Sequence, residues 1–156
     1  MTLQTGVDAE TMRRMITTES PLTPAMIVRS TLSIAALRID ATGIGALFRE
    51  TRALGDDTGI KGVIVSDGER VAHILHGAPE NVEEVIRHIS ADQRLADLII
   101  LAQQEVDDNG TAWPLSGWKA GWATPDVLCE MRSSAAGDPK HAVASCLGLL
   151  AQCELL

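Results

Sequence analysis

Tyrosine is missing from this chain altogether, and its 156 residues hold one phenylalanine and three tryptophans. No phenol is available anywhere to pass on a proton or an electron. Basic residues are also scarce, with 13 Lys and Arg against 21 Asp and Glu and a net charge of −8. Nucleic acid and anionic membranes are gripped through clustered Lys and Arg, so this balance argues against both as direct partners. No apolar run approaches the ~20 residues that cross a bilayer. The N-terminal MTLQTGVDAETMRRM has neither a signal-peptide core nor a transit-peptide bias, which predicts a cytoplasmic protein. The cysteines, Cys129, Cys146 and Cys153, are odd in number and lack C-x-x-C spacing. They read as reduced, buried, small apolar residues rather than as disulfide or metal ligands.

Recognisable catalytic patterns are lacking as well. No Ser-His-Asp or Cys-His ordering is visible, and no carboxylates sit at metal-ligand spacing around the histidines. Gly59 to Gly62 is G-x-x-G, too short for a phosphate loop, and Lys61 precedes the second glycine. The acidic pairs Glu83-Glu84 and Asp107-Asp108 read as solvated faces. The sequence therefore points away from an enzyme; an enzyme on a ferredoxin-like frame is the remaining contrary reading.

What is present is a regular alternation of strands and helices in a chain of single-domain length. Residues 59 to 77, GIKGVIVSDGERVAHILHG, hold two apolar runs, 63–65 and 71–75, around a Gly-containing turn, and so predict a β-hairpin. Pro79 then opens a helix carrying Val82, Val85, Ile86 and Ile89 at helical spacing. Ahead of the hairpin, residues 25–37 are rich in β-branched and small residues and predict a strand. Ile44, Leu47, Phe48, Thr51 and Leu54 form the stripe of a helix over about 41–54, ended by Gly55 and two aspartates. Residues 96–102 predict a further strand, 103–114 a polar connection, and 115–124 a last strand with Trp118 and Trp122 on one face. The order βαββαββ is that of a ferredoxin-like α+β sandwich with one extra strand.

The flanks add three helical patterns. Residues 7–18 form a short N-terminal helix packed on the domain, or a partly disordered tail. Pro125 to about Ser134 and Lys140 to Glu154 form two C-terminal helices, the natural cover for the sheet face that the main helices leave open. The organisation expected is 1–24 as an extension, 25–124 as the domain and 125–156 as the C-terminal helices. The apolar positions of this tail also predict a homodimer or a heteromeric complex.

The ordered motifs G-I-K-G, strand, D-G turn, strand, L-x-G, helix and Asp92-Gln93-Arg94 resemble the core of the BLUF family, the sensors of blue light using FAD. The match is ungapped from Gly59 to Arg94 and looser from about Met26 to Trp122. The resemblance implies a flavin site built from a Tyr on the first strand, an Asn on the first helix, a Gln on the third strand and a Trp or Met on the last. Counted without gaps, the Gln position holds His73 and the Asn position Gly55, while Thr31 lies near the position of the absent Tyr. Trp118 is retained in kind, and Ala120 stands where Met is frequent. An imidazole cannot swap donor for acceptor along one axis as an amide can. His73 reads as a hydrogen-bonded packing residue or as a proton-sensing group.

These residues predict a BLUF-like regulatory protein that has lost the flavin photochemistry and acts as a protein-interaction or ligand-sensing module. No cofactor is expected on that reading. The alternative is a divergent blue-light photoreceptor that binds FAD in an unusual way.

Overall fold

The computed structural model describes residues 26–108, 117–138 and 141–150. The helix expected over 7–18 lies outside them, as does Cys153. Nine elements follow in order: β1 (Met26–Leu37), α1 (Ala41–Thr58), β2 (Lys61–Ser66), β3 (Arg70–Gly77), α2 (Pro79–Ala91), β4 (Leu95–Asp108), β5 (Lys119–Trp122), α3 (Pro125–Gly137) and α4 (Ala142–Leu150). The sheet order is β4-β1-β3-β2-β5, with β5 parallel to β2 and every other pairing antiparallel. This is the ferredoxin-like α+β arrangement with an added edge strand.

Side chains alternate across the sheet, and each set meets its own pair of helices. One face carries Ala35, Ile64, Val71 and Leu75, which pack against Leu47 of α1 and Val82, Val85 and Ile89 of α2. The opposite face carries Leu32, Ile34, Val63, Val65 and Ile74, covered by Leu128 and Met131 of α3 and Val143, Cys146 and Leu150 of α4. Among the described residues, Leu128, Met131, Val143, Cys146 and Leu150 of the C-terminal helices are thus absorbed by the domain's own second layer, with Val127 and Leu147 partly buried against it. They do not supply the exposed surface from which association was argued.

Helix α1 starts where Asp40 caps it, its side chain accepting from the Thr42 N–H at 3.1 Å. It runs four residues beyond the expected end at 54. Gly55 does not stop it, because the glycine faces the sheet and is buried there. Gly59 stops it instead, at φ 74°, with its N–H returned to the Gly55 and Asp56 carbonyls. Thr58 Oγ1 adds a bond to the Leu54 carbonyl at 2.9 Å.

Strand β4 also outruns the expected 96–102. Its polar half pairs with the start of β1, Gln103 opposite Thr31 and Glu105 opposite Arg29. The polar side chains satisfy one another there, Thr31 Oγ1 donating to Gln103 Oε1 at 3.3 Å and Arg29 reaching Glu105 at 2.6 Å. Composition alone reads such a strand as a loop. The Arg29 guanidinium is held protonated by its hydrogen bonds to Glu83 and Glu105. Asp97, at φ 56°, marks a bulge where the register of β4 slips against β1.

The cysteines divide. Cys146 is buried, and burial pushes its thiol up to about 11. Cys129 is exposed, contrary to the expectation of burial, and its sulfur lies 3.6 Å from an Arg70 guanidinium nitrogen.

Candidate functional site

His73 stands on the central strand β3 with Ser33 of β1 on one side and Ile64 of β2 on the other. All three belong to the face under α1 and α2. The imidazole is fully buried, and neither Nδ1 nor Nε2 has a hydrogen-bond partner. Ser33, directly across the ladder, is equally buried and its hydroxyl is equally unpartnered. Burial lowers the His73 pKa to about 4, opposed by the negative charge of Asp92. The ring is therefore neutral at physiological pH. The expectation of a hydrogen-bonded packing histidine is corrected by this environment: the residue packs, but nothing answers its nitrogens. A polar group left so costs about 1–3 kcal/mol.

Ser33 was not singled out from the sequence. The strand register decides which β1 residue faces His73, and no residue type announces a register. Thr31, two positions along, pairs with Leu75, and its hydroxyl is spent on Gln103.

Gly55 and Trp118 form the second half of the site. Trp118 is 5% exposed, and its indole Nε1 donates to the Ile60 carbonyl at 2.7 Å. The ring lies against two glycines at once. A Cβ on Gly55 would overlap it outright, and a Cβ on Gly62 would stand 2.7 Å from Cζ3. Glycine at 55 is thus the counterpart of tryptophan at 118, since each leaves room for the other. Ala120 follows on β5, opposite Ile64.

Between α1 and α2 an open cleft of about 310 Å³ is lined by Glu50, Thr51, Leu54, Ile89, Asp92 and Arg94. Arg94 ties its rim together, bonding Asp92 at 2.6 Å and Glu50 at 2.8 Å. Those hydrogen bonds, Asp92 first, raise the arginine pKa, and the same Arg94 bond holds the Asp92 carboxyl below its usual range. His73 does not line this cleft; only the Asp92 charge links the two. His76 sits elsewhere, with Nδ1 2.7 Å from Ser30 Oγ. Among the described residues no three His, Cys, Asp or Glu side chains converge as metal ligands would, and no helix is long and apolar enough to cross a membrane.

The model of the family "BLUF: Sensors of blue-light using FAD" matches residues 26–113, more than half of the chain. The chain belongs to the BLUF family. Solved structures agree in fold. The structure titled "BlsA photo-activated state" aligns at TM-score 0.62 and 18% identity over 84% of this chain and 99% of that one. "BlrB - a BLUF protein, dark state structure" aligns at 0.62 and 18%, over 81% and 96%. A bacterial light-regulated adenylyl cyclase aligns at 0.54 and 16% over 70% of this chain, which spans only 33% of the cyclase. No curated protein sequence matches the chain.

BLUF domains are named for their use of FAD, so the residues here must be tested against that cofactor. The phenol, the strand amide and the helix amide that the family resemblance implies have no counterparts in a chain with no tyrosine, with His73 and with Gly55. An asparagine at 55 could not coexist with Trp118 in its observed place, because even a Cβ collides with the indole. The residues present do not fit a flavin gripped through those groups. Two features run the other way, the polar cleft at Arg94 and the unpartnered atoms of Ser33 and His73.

Proposed function

We propose that this chain is a BLUF-fold signalling module in which a packed, all-protein site has replaced the flavin switch, and that it works by binding a protein partner or a small ligand rather than by light-driven chemistry or catalysis. The observation that carries the reading is the Trp118 indole, seated against Gly55 and Gly62 and bonded to the Ile60 carbonyl. A side chain so placed fills the space in which a helix amide would meet a ligand. Supporting it, the chain offers no phenol, and His73 is neutral and sealed from solvent.

A second reading keeps FAD, bound differently. Its motive is the pair of unpartnered polar side chains under the helices, which a ligand that opened the site would satisfy. Calorimetric titration of the purified protein with FAD separates the two. Two missing net hydrogen bonds of about 1 kcal/mol each weaken affinity roughly tenfold to thirtyfold, so weak or absent binding and no stoichiometric flavin on purification are expected. Sub-micromolar affinity would overturn the proposal in favour of the second reading.

A further inference from the structure

Helix α2 leaves the outer strand of its sheet face partly bare. Between α2 and β4 runs an open groove of about 340 Å³, lined by Val82 and Ile86 on one side and by Ile100, Gln103 and Arg29 on the other. Ile100 lies opposite Ser33 and Gln103 opposite Thr31, so the groove belongs to the face under α1 and α2. Ile27 extends the same face by alternation with Arg29. Ile100 is 40% exposed and Ile27 53%, which leaves apolar surface uncovered at both ends of the strip.

The groove has an electrical direction. Strand β3 ends at Gly77 opposite Arg29 and α2 starts two residues later, so α2 runs from the Ile27 end towards the Ile100 end. At the Ile27 end the single guanidinium of Arg29 is shared by Glu83 at 2.9 Å and Glu105 at 2.6 Å, and exposed Asp107 stands opposite Ile27. Acid is in excess there. One turn further along α2, Arg87 is exposed with a Glu84 oxygen 4.0 Å away, a contact worth little in water.

Residues 1–25 precede β1 and lie outside the described residues. Within them Ala9, Met12, Met15 and Ile16 recur at helical spacing, with Asp8 and Glu10 in the first half of the stretch and Arg13 and Arg14 in the second. We infer that residues 7–18 form a helix seated in this groove, with its C-terminal end nearest Ile27. A helix over 7–18 is about 18 Å long, and β1 rises about 20 Å from Ile27 to Ser33, opposite Ile100. Residues 19–25 join Thr18 to β1 and reach up to about 23 Å, enough to turn the chain back over the sheet. In this direction Arg13 and Arg14 approach the acidic end and Asp8 and Glu10 approach Arg87, whereas the reverse direction brings like charges together. The stripe then covers Ile27, Ile86 and Ile100. This segment is favoured over a separate peptide because its tether holds it at a high effective concentration beside the groove. The inference is independent of whether flavin binds.

Cysteine cross-linking in the full chain tests it, in a Cys129→Ser, Cys153→Ser background that keeps only the buried Cys146, with circular dichroism checking that each variant is folded. On mild oxidation, Ala9→Cys with Ile100→Cys is expected to close an intramolecular disulfide about tenfold faster than Ala9→Cys with Ile99→Cys. Ile99 is equally exposed but lies opposite Ile34, on the other face. Ile16→Cys with Ile100→Cys should also close more slowly, since the helix holds position 16 at the far end. Met12→Asp should slow the first reaction about tenfold by placing a carboxylate in the apolar stripe, whereas a tether without a seat would react unchanged. Equal rates at Ile100→Cys and Ile99→Cys, faster closure from Ile16→Cys than from Ala9→Cys, linkage only between two chains, or no effect of Met12→Asp would each overturn the inference.

Discussion

The two faces of the sheet are built from adjacent positions of the same strands, yet they hold different chemistry. Under α3 and α4 the buried apolar cluster is aliphatic apart from one methionine and one thiol, and the buried polar residue that alternation adds to that face, His76, has Ser30 within hydrogen-bond distance. Under α1 and α2, the same strands bury Thr31, Ser33 and His73, and the last two lack partners. Burying such groups costs free energy that the aliphatic alternative would not. The first face satisfies what it buries, whereas the second leaves Ser33 and His73 buried without a hydrogen-bond partner among the described residues.

The comparison is sharpest where the core face is cut. Leu128→Ala and Met131→Ala each remove a fully buried side chain and are expected to cost about 2–5 kcal/mol. Urea denaturation measures the loss. Values below those of truncations on the site face would break the assignment of roles.

The next effect belongs to the other face and appears only in acid. The folded His73 pKa of about 4 lies below the ordinary 6.5, so the native state refuses a proton that the unfolded chain accepts. Stability is complete above pH 6.5 and falls as pH drops towards 4, by roughly 3 kcal/mol in all. His73→Leu should remove that slope and leave stability at neutral pH equal or higher. A wild-type stability that is flat between pH 6.5 and 4 would show that the ring is solvated or partnered.

A smaller effect separates the glycine from the tryptophan. Gly55→Ala should cost about 1–3 kcal/mol through overpacking against the indole. Combined with Trp118→Ala, most of that cost should vanish, a coupling of about 0.5–3 kcal/mol in a double-mutant cycle. Additive losses would mean that Trp118 does not occupy the space at 55. The least expected effect is at the exposed cleft rim, where Arg94→Ala should cost under about 1 kcal/mol despite its two carboxylate contacts.

Much of this architecture was legible in the sequence because hydrophobic period and turn chemistry agree along the chain. The Ser66-Asp67-Gly68 turn, Pro79 at a helix start and the 3.6-residue stripes of α1 and α2 each state a local preference that the fold keeps. Failures came where a tertiary partner overrides a local signal. Gly55 reads as a helix stop, but Trp118, 63 positions away, needs the space it leaves. Gln103 to Asp108 reads as a connection, but β1 supplies polar partners that turn it into strand. At the site, Gly55, His73 and Trp118 could be located by motif spacing. Ser33 could not, since the register of β1 against β3 is fixed by packing on both faces.

The central claim, that this BLUF chain has lost the family's flavin switch, is tested most directly by a light-minus-dark absorbance spectrum at the highest flavin loading that can be reached. Without a phenol to begin electron transfer, and with an imidazole in place of the amide, the account predicts no reversible red shift of the flavin band under blue light. A reversible red shift that decays in the dark would contradict it, and would show that another donor in this chain performs the work of the missing tyrosine.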